Sequence, residues 1–230
     1  MNRARQLLEI PLPGKFFGAH LAEVVSLNDP DNRARVQVRF YSFDGVDDHD
    51  GPVWARVAVP FAGNNRGAFL LPDVGDEVLV TFVNGDPRQP IVVGGLWNGS
   101  DTAPESISGG QNRRKVIRSK NGVKVTLEDQ DGQEKFIAET PGGQKVTLQD
   151  GPCTVTIEDS NGNSVKLESA GVTITGAAKI TLNAGQLAMS AGYGQVDSGM
   201  IKFSGVVQCD TLIATTVVAS TYTPGAGNVW

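Results

Sequence analysis

The sequence is poor in the residues on which catalytic and metal sites usually depend. It has two cysteines and two histidines in 230 residues. No Gly-x-Ser-x-Gly, Cys/His pairing or P-loop motif is present. Cys153 and Cys209 lie inside strand-like phrases, and we interpret both as small core residues and not as a disulfide, a metal pair or a nucleophile. The cluster Asp47-Asp48-His49-Asp50 could hold a metal or act as an acid–base site, but acidic loops are usually only solvated. We therefore expect no enzyme activity, no cofactor and no metal.

Long apolar runs and helical apolar stripes are also missing. No run of 18 apolar residues exists and the N-terminus lacks a signal-peptide h-region, so we expect neither a membrane span nor a signal peptide. At most, residues 2–10 form a helical turn or two. Aromatic residues make up 7% of the chain, whereas glycine occurs 28 times. Because Thr and Val also crowd the second half, the composition predicts an all-β protein with many turns.

The first half of the chain consists of short alternating segments between turn residues. A hairpin is predicted from Ala22–Leu27 and Ala34–Tyr41, joined by the turn cluster Asn28–Asn32. Further strands are predicted at Trp54–Val59, Val78–Val83 and Pro90–Leu96. Ten of the fifteen aromatic residues fall in residues 16–97, as expected of a globular core. A small closed barrel is the simplest fold for these strands.

The second half is organised by a repeat that runs from Gly122 to Leu182. A small or turn residue is followed by apolar residues three and five places later, and the units start roughly 7 to 11 residues apart, which is typical of stacked short strands. Apolar residues alternate with Thr, Lys or Ser, as in a strand with one buried face. The apolar pairs are Val125/Leu127, Phe136/Ala138, Val146/Leu148, Val155/Ile157, Val165/Leu167, Val172/Ile174 and Ile180/Leu182. A weaker echo continues through Leu187/Met189, Ile201/Phe203 and Val207/Cys209. No unit this short can bury a core alone, so the units must stack, and we expect them to pack against copies in other chains.

Two phrases in the barrel half carry a resemblance to a known family. One is Leu71-Pro72-x-Val74-Gly75-Asp76-Glu77-Val78, and the other is Gly85-Asp86-Pro87-x-x-Pro90. In this order and spacing they resemble the OB-fold barrel of contractile-tail spikes, that is, phage baseplate assembly protein V and the VgrG spikes of type VI secretion. Residues 207–213 also look like the late needle of phage-type spikes. The resemblance covers most of residues 16–210.

The resemblance implies an OB-fold barrel followed by an intertwined trimeric β-helix needle. The implied domains are an N-terminal arm (1–15), the barrel (16–97), a linker (98–112), the β-helix shaft (113–221) and a tip (222–230). In a homotrimer, the repeat residues of the three chains would point at a shared axis. Each side chain that becomes fully buried there would contribute roughly 1.5–3 kcal/mol to stability. The expected axis residues are Val125, Leu127, Val146, Leu148, Val155, Ile157, Val165, Leu167, Val172, Ile174, Ile180 and Leu182. The implied function is mechanical: to close the end of a tail tube and to pierce a target cell envelope.

The resemblance also suggests partners and a location. VgrG spikes carry a large hub region before the barrel, but only some 15 residues precede it here, so we expect a separate tail hub protein at the barrel end. A linker of about 14 residues leaves no room for a lysozyme domain. The chain lacks the His-x-His tip motif of some phage spikes, so a tip would be a separate PAAR-type cap. The expected cap contacts are Pro224, Gly225, Asn228, Val229 and Trp230, although Trp230 could instead cap the last strands. We expect a virion or phage-like particle, assembled in the host cytoplasm, that contacts the target membrane transiently.

The sequence also fits other functions in part. An OB barrel often binds nucleic acid, but residues 1–100 carry 9 Lys and Arg against 12 Asp and Glu, the wrong sign for phosphate binding. A receptor- or carbohydrate-binding protein with a β-helical stalk would normally have a large head after the stalk. The basic cluster of Arg113, Arg114, Lys115, Arg118 and Lys120 is either a solvated strand edge or a binding patch. A type VI spike without a fused hub is the nearest alternative to a phage spike.

Overall fold

The computed structural model describes residues 14–43 and 51–221, and all of its regular structure is β apart from two single-turn 3₁₀ helices. The chain divides into two units, Met1–Ile180 and Thr181–Trp230. The all-β fold class is confirmed. In the first unit the strands are β1 (Ala19–Ser26), β2 (Val36–Phe40), β3 (Val53–Val57), β4 (Ala62–Gly63), β5 (Arg66–Gly67), β6 (Glu77–Phe82), β7 (Pro90–Gly95), β8 (Arg114–Arg118), β9 (Lys124–Glu128), β10 (Lys135–Glu139), β11 (Lys145–Gln149), β12 (Thr154–Glu158), β13 (Ser164–Glu168) and β14 (Gly171–Thr175). No helix in the described ranges is long and apolar enough to cross a membrane.

Five strands close into a barrel in the order β1-β2-β3-β7-β6. The predicted hairpin is confirmed, because β1 and β2 pair antiparallel with Val24 opposite Val38. β3 and β7 pair parallel, and the other neighbours pair antiparallel. Alternate residues point inward and form one buried core, made of Ala22, Val24, Val36, Val38, Phe40, Ala55, Val78, Val80, Phe82 and Val92.

The turn between β1 and β2 is fixed by a network around one carboxylate. Asp29 accepts hydrogen bonds from the backbone N–H groups of Asp31, Arg33 and Arg35. The Arg35 guanidinium lies 2.6 Å from Asp29 Oδ1 and also covers the Trp54 ring, 5.7 Å from its centroid. The Arg35 side chain is the largest cause that holds the pKa of Asp29 well below its usual range. This network seats the hairpin turn against β3.

Strands β4 and β5 pair only with each other. The last seven strands form one antiparallel sheet in which each strand pairs with the next along the chain, from β8 to β14. At about 4.8 Å per strand, the sheet is roughly 30 Å across its strands. Tight turns join the strands, and several turns are stacked on one another. Gly143, at a φ of +85°, is packed so closely that an added Cβ would lie 3.0 Å from Ser160 Cβ, and Gly122 approaches Pro141 in the same way. These contacts explain why glycine recurs at the start of the repeat units.

Residues 176–221, which contain Ile180, Leu182 and the echoes after them, form no strand in the single chain. Because these units were expected to pack against other chains, their strands stay predictions. The prediction for Cys153 is wrong. Cys153 is not a core residue in a strand. It lies exposed in the turn before β12 with a φ of +52°, and Cys209 is exposed as well.

In the second unit, residues 181–221 form neither a helix nor a strand. Their large apolar side chains are exposed, with Met189 at 88% and Val206 at 97%. Exposure of this many large apolar groups is unusual for a protein surface in water. This segment therefore presents apolar side chains that the chain itself does not cover.

Candidate functional site

The repeat residues share one face of the seven-stranded sheet. Directly opposite residues in an antiparallel pair point to the same side, and the register places them in two columns that cross the strands. The first column contains Val125, Ala138, Val146, Ile157, Val165 and Ile174, and the second contains Leu127, Phe136, Leu148, Val155, Leu167 and Val172. We call these two columns the apolar face. Ten of the twelve residues that we expected at the trimer axis lie on it, and the other two, Ile180 and Leu182, lie beyond the last strand.

Sequence reasoning left three members of this surface out of the expected axis. Phe136 and Ala138 fit the repeat, but they follow Gln133 instead of a small turn residue. Ile117 precedes the repeat, yet it lies opposite Val125 and so extends the first column to β8. In the sequence Ile117 stands beside a second apolar residue, Val116, so this segment does not alternate and gives no signal of which residue faces the apolar side.

The apolar face is open to solvent in the single chain. Leu127 and Leu148 keep 47% and 44% of their surface exposed, and Ile157 and Ile174 keep 50% and 59%. The first column borders a groove of about 640 Å³, into which Ile180 also projects. A contiguous row of half-exposed Val, Ile and Leu side chains is a candidate surface for contact with another protein chain.

The opposite face of the sheet is mainly polar. Lys124 lies 3.8 Å from Glu139, and Lys145 lies 3.5 Å from Glu158, so charges of opposite sign alternate across neighbouring strands. Between these ladders runs a middle column that is mostly polar but contains two apolar residues: Val116, Thr126, Ile137, Thr147, Thr156, Lys166 and Thr173. The charged ladders suit contact with water, whereas Thr126 in the middle column is buried. The sheet therefore has one apolar face and one mainly polar face.

The turns of the sheet are held by side-chain caps that leave the apolar face free. In the turn between β12 and β13, Asp159 Oδ1 accepts backbone N–H bonds from Asn161 and Asn163, each 2.9 Å long, and Asp159 Oδ2 accepts a bond from Asn163 Nδ2. The Asn163 side chain is the largest cause that lowers the pKa of Asp159 to about 2. Capping of this kind satisfies turn backbone groups that no ladder can reach.

The first barrel phrase forms the turn into β6. Gly75 adopts a φ of +95°, donates its N–H to Val24 O at 2.8 Å, and so joins the turn to β1. Asp76 Oδ2 accepts the N–H of Asp73, and Val78 is fully buried in the barrel core. The other members have different surroundings: Leu71 and Pro72 are half-buried, Val74 is exposed, and Glu77 begins β6.

The second barrel phrase forms the turn from β6 to β7. Gly85 adopts a φ of +69° and accepts the Phe16 N–H at 2.9 Å. Asp86 binds the Arg88 guanidinium at 2.8 Å, and this contact is the largest cause that lowers the Asp86 pKa to about 2. Pro87 lies in the turn and Pro90 is buried at the start of β7. Both phrases therefore shape turns of the barrel.

The basic cluster is partly neutralised. Arg114 lies 3.7 Å from Glu128 and 3.8 Å from Glu105, and Lys115 pairs with Asp129. Lys120 lies 4.0 Å from Asp73. These pairs agree with a solvated strand edge and do not favour an anion site.

Groups of three or more metal-ligating side chains are absent from residues 14–43 and 51–221. The cluster Asp47-Asp48-His49-Asp50, the expected cap contacts and most of the N-terminal arm lie outside the described residues. Their predicted roles therefore stay predictions.

Comparison with known proteins identifies both halves. Residues 20–97 match the family described as the type VI secretion system/phage-baseplate injector OB domain, and residues 134–193 match the phage baseplate V C-terminal trimerisation domain. Together these matches cover more than half of the chain. The chain therefore belongs to the contractile-tail spike family, in which an OB domain precedes a trimerisation domain. The resemblance seen in the sequence is confirmed, and it makes this chain a structural component of a tail or secretion machine.

Individual relatives are spike proteins of type VI secretion systems. The chain is 37% identical to VgrG4b of Pseudomonas aeruginosa over 112 residues, which are 46% of this chain and 14% of that protein. It is 34% identical to VgrG3 of Vibrio cholerae over 113 residues, 46% of this chain and 11% of that protein. It is 30% identical to VgrG1c of P. aeruginosa over 128 residues, 52% of this chain and 18% of that protein. The chain thus spans less than a fifth of the length of these relatives.

Proposed function

We propose that this chain is the central spike of a contractile injection machine of the phage or phage-like type. Three copies form a needle that closes the end of the tail tube and pierces the target envelope mechanically. The observation that carries this proposal is the uncovered apolar face, most of which lies within the matched trimerisation domain. A stiff body that is built from short strands needs this face to be buried.

The proposed axis is formed by the apolar faces of three sheets. Each chain turns its two columns inward and its Lys/Glu ladders outward, as the apolar face and the mainly polar face of the sheet require. Each Val, Ile or Leu that becomes fully buried contributes roughly 1.5–3 kcal/mol, less for those already half-covered. Three sheets closed on one another also give each layer a core that one chain cannot supply.

Residues 176–221 form the second part of the needle in this proposal. Their exposed apolar side chains and the lack of a ladder within one chain support strand pairing between chains, whereas residues 114–175 pair within the chain. The needle then changes from three side-by-side meanders to an intertwined β-helix near residue 176. Because intertwined chains cannot separate without unfolding, such a needle resists detergent.

The division into arm, barrel, linker, shaft and tip at the predicted boundaries is part of the proposal. So are a separate tail hub protein at the barrel end and a PAAR-type cap at Pro224–Trp230. Force from a contracting sheath would pass through the barrel to the needle. Neither a nucleic acid nor a cofactor has a role in this mechanism, and the chain acts without catalysis.

A type VI spike is the second candidate, and the names of the relatives favour it. The two candidates differ in where the chain is found. A phage-type spike is part of released particles, whereas a type VI spike belongs to an apparatus that stays attached to the cell.

The test is to locate the chain in contractile particles. Particles sedimented from the culture medium are probed with gold-labelled antibody against the barrel, and copies are counted by quantitative mass spectrometry. We expect three copies per particle and gold at the baseplate tip. Gold only on cell-attached sheaths would favour the type VI candidate, and absence from both structures would refute a spike function.

A further inference from the structure

The barrel has two distinct ends, which its register defines. β1 and β6 pair with Glu23 opposite Glu77 and with Ala19 opposite Thr81. Gly95, the last residue of β7, lies opposite Val78 and therefore at the end of the barrel that contains Glu77. The chain leaves the barrel from that end and continues to the sheet. We call it the shaft end, and the end near Ala19 the N-terminal end.

Large apolar side chains are concentrated at the shaft end. Because β3 is parallel to β7, the connection from β3 to β6, residues 58–76, starts and finishes at this end. Phe69 and Leu70 in this connection are 76% and 62% exposed. The exposed apolar residues at the shaft end include Phe61, Phe69, Leu70, Val74, Leu96 and Trp97. At the N-terminal end the described residues expose fewer, chiefly Phe17 and Tyr41.

The connection that carries these side chains is a built structure. Ala68 donates its N–H to Phe61 O at 3.1 Å, and Gly67 passes so close that an added Cβ would lie 2.9 Å from the same oxygen. Downstream, the Asp73 N–H binds Asp76 Oδ2 at 2.8 Å. Hydrogen bonds thus hold the loop in a conformation that keeps Phe69 and Leu70 in solvent. A fixed loop with exposed anchors is what a preorganised contact surface requires.

The shaft end meets the sheet where the apolar face begins. Lys120, in the turn between β8 and β9, lies 4.0 Å from Asp73, three residues after Leu70. Val123, the next large apolar residue after that turn, is 50% exposed and borders the same groove as Val125. The apolar end of the barrel therefore continues into the apolar face of the sheet.

We propose that the shaft end of each barrel binds a second copy of this chain, with Phe69 and Leu70 packed on the first strands of the neighbour's sheet. The inference rests on the proposed trimer. Within one chain the loop reaches the sheet through the Lys120–Asp73 ion pair, which leaves Phe69 and Leu70 facing outward. In the proposed trimer, the three barrels converge around one axis at the point where the three sheets begin. The neighbour's Ile117 lies at the start of its sheet, is 61% exposed, and offers an apolar surface on which Phe69 and Leu70 can pack. Contacts between two different surfaces around a three-fold axis close into a ring.

In the spike, this contact would connect each barrel both to its own sheet and to the sheet of a neighbouring chain. A barrel that is held to its own sheet only by the linker and the Lys120–Asp73 ion pair could tilt on the needle, whereas contact with the neighbouring chain restrains it. Axial force on the barrels is then shared among the three chains.

The test places a photo-crosslinking amino acid, p-benzoylphenylalanine, at position 69 of the full-length chain. The purified protein is irradiated and then boiled in detergent so that only covalent products stay joined, and the crosslinked peptides are sequenced. We expect a product of about twice the 24.3 kDa chain mass, with crosslinks to residues 113–128 of the other copy. The matched control carries the same amino acid at position 17, an exposed phenylalanine at the N-terminal end, and should give no crosslink to that segment.

Each outcome decides between the two proposals. If light scattering shows a trimer but position 69 crosslinks only within its own chain, the inference is overturned and the spike proposal stands. The same variant is also irradiated in intact particles; if position 69 crosslinks there to a different protein, the shaft end is a site for that protein and the inference again fails. If the unirradiated protein is a monomer, the proposed trimer itself is wrong.

Discussion

The barrel and the sheet are made from the same kind of strand, yet only the barrel has a core of its own. In both regions, Val and other apolar residues alternate with polar ones. In the barrel, five strands close on themselves and bury ten apolar residues, whereas the only buried residue of the sheet among those described is Thr126. The difference lies in closure: a sheet that cannot curl onto itself must bury its apolar face against another molecule. Stability should therefore reside within the chain for the barrel and between chains for the needle.

The largest expected effect comes from placing a charge on the apolar face. Leu148→Asp would bring three carboxylates together at the proposed axis, where like charges in a dry environment repel strongly. We expect loss of the trimer, measured as native mass, with the barrel still folded. Gln149→Asp is the matched control, since it adds the same charge to the same strand on the polar face, next to Lys135. Equal loss of trimer in both variants would contradict the assignment of the faces.

A substitution in the barrel core should have a smaller effect, and it should lower the stability of the barrel while the trimer is retained. Val38 is fully buried, and Val38→Ala removes two methyl groups and leaves a cavity, which should cost about 2 kcal/mol of barrel stability. The trimer should persist, because the needle does not depend on this core. Denaturant unfolding followed by Trp54 fluorescence measures the first effect, and native mass measures the second. Arg39→Ala, an exposed neighbour on the same strand, should change neither.

The stacked turns of the sheet should show a more modest effect. Gly143→Ala forces a side chain into a positive φ and against Ser160, so we expect a loss of about 1–2 kcal/mol per chain. The midpoint of thermal trimer dissociation reports it. Gly142→Ala is the control, because Gly142 has no positive φ and the atoms nearest to an added Cβ belong to the flexible Gln144 side chain. A control as damaging as the test variant would mean that the conformation is not the cause.

The smallest effect is expected at Asp159 and should depend on pH. Its pKa is lowered from 3.8 to about 2, so the ionised carboxylate stabilises the folded sheet above about pH 4 and this contribution is lost as the pH falls toward 2. Asp159→Asn should lower the melting temperature at neutral pH, and the gap to the unchanged protein should narrow between pH 3.8 and 2. Thermal melts across this range measure it. A gap that is constant with pH would show that the carboxylate charge is not what stabilises the turn.

Much of the architecture was predictable from local patterns. The hairpin of β1 and β2 and the strands near Val78 and Pro90 follow from period-two alternation between turn residues. The repeat pairs marked ten residues of the apolar face because a three-and-five spacing leaves two side chains on one side of each strand. Turn glycines such as Gly143 were visible because a positive φ favours glycine.

What escaped prediction depends on pairing and on tertiary contacts. The strand expected around Ile180 and Leu182 has the right alternation, but a strand also needs a partner, and alternation does not say whether that partner is in the same chain. Cys153 lies in a segment whose sequence pattern predicts a strand, but its positive φ places it in a turn, outside the strand ladder. The contact of Asp73 with Lys120, which joins the barrel loop to the sheet, leaves no trace in a linear pattern.

The central claim, that other copies of the chain cover the apolar face, is tested most directly by the solution mass of the full-length protein. Light scattering is measured first in buffer and then after exposure to detergent with and without boiling. We predict a mass near three times 24.3 kDa that survives detergent and falls only on boiling. A mass of 24.3 kDa in buffer would contradict the account, because the apolar face would then be exposed to water in the native protein.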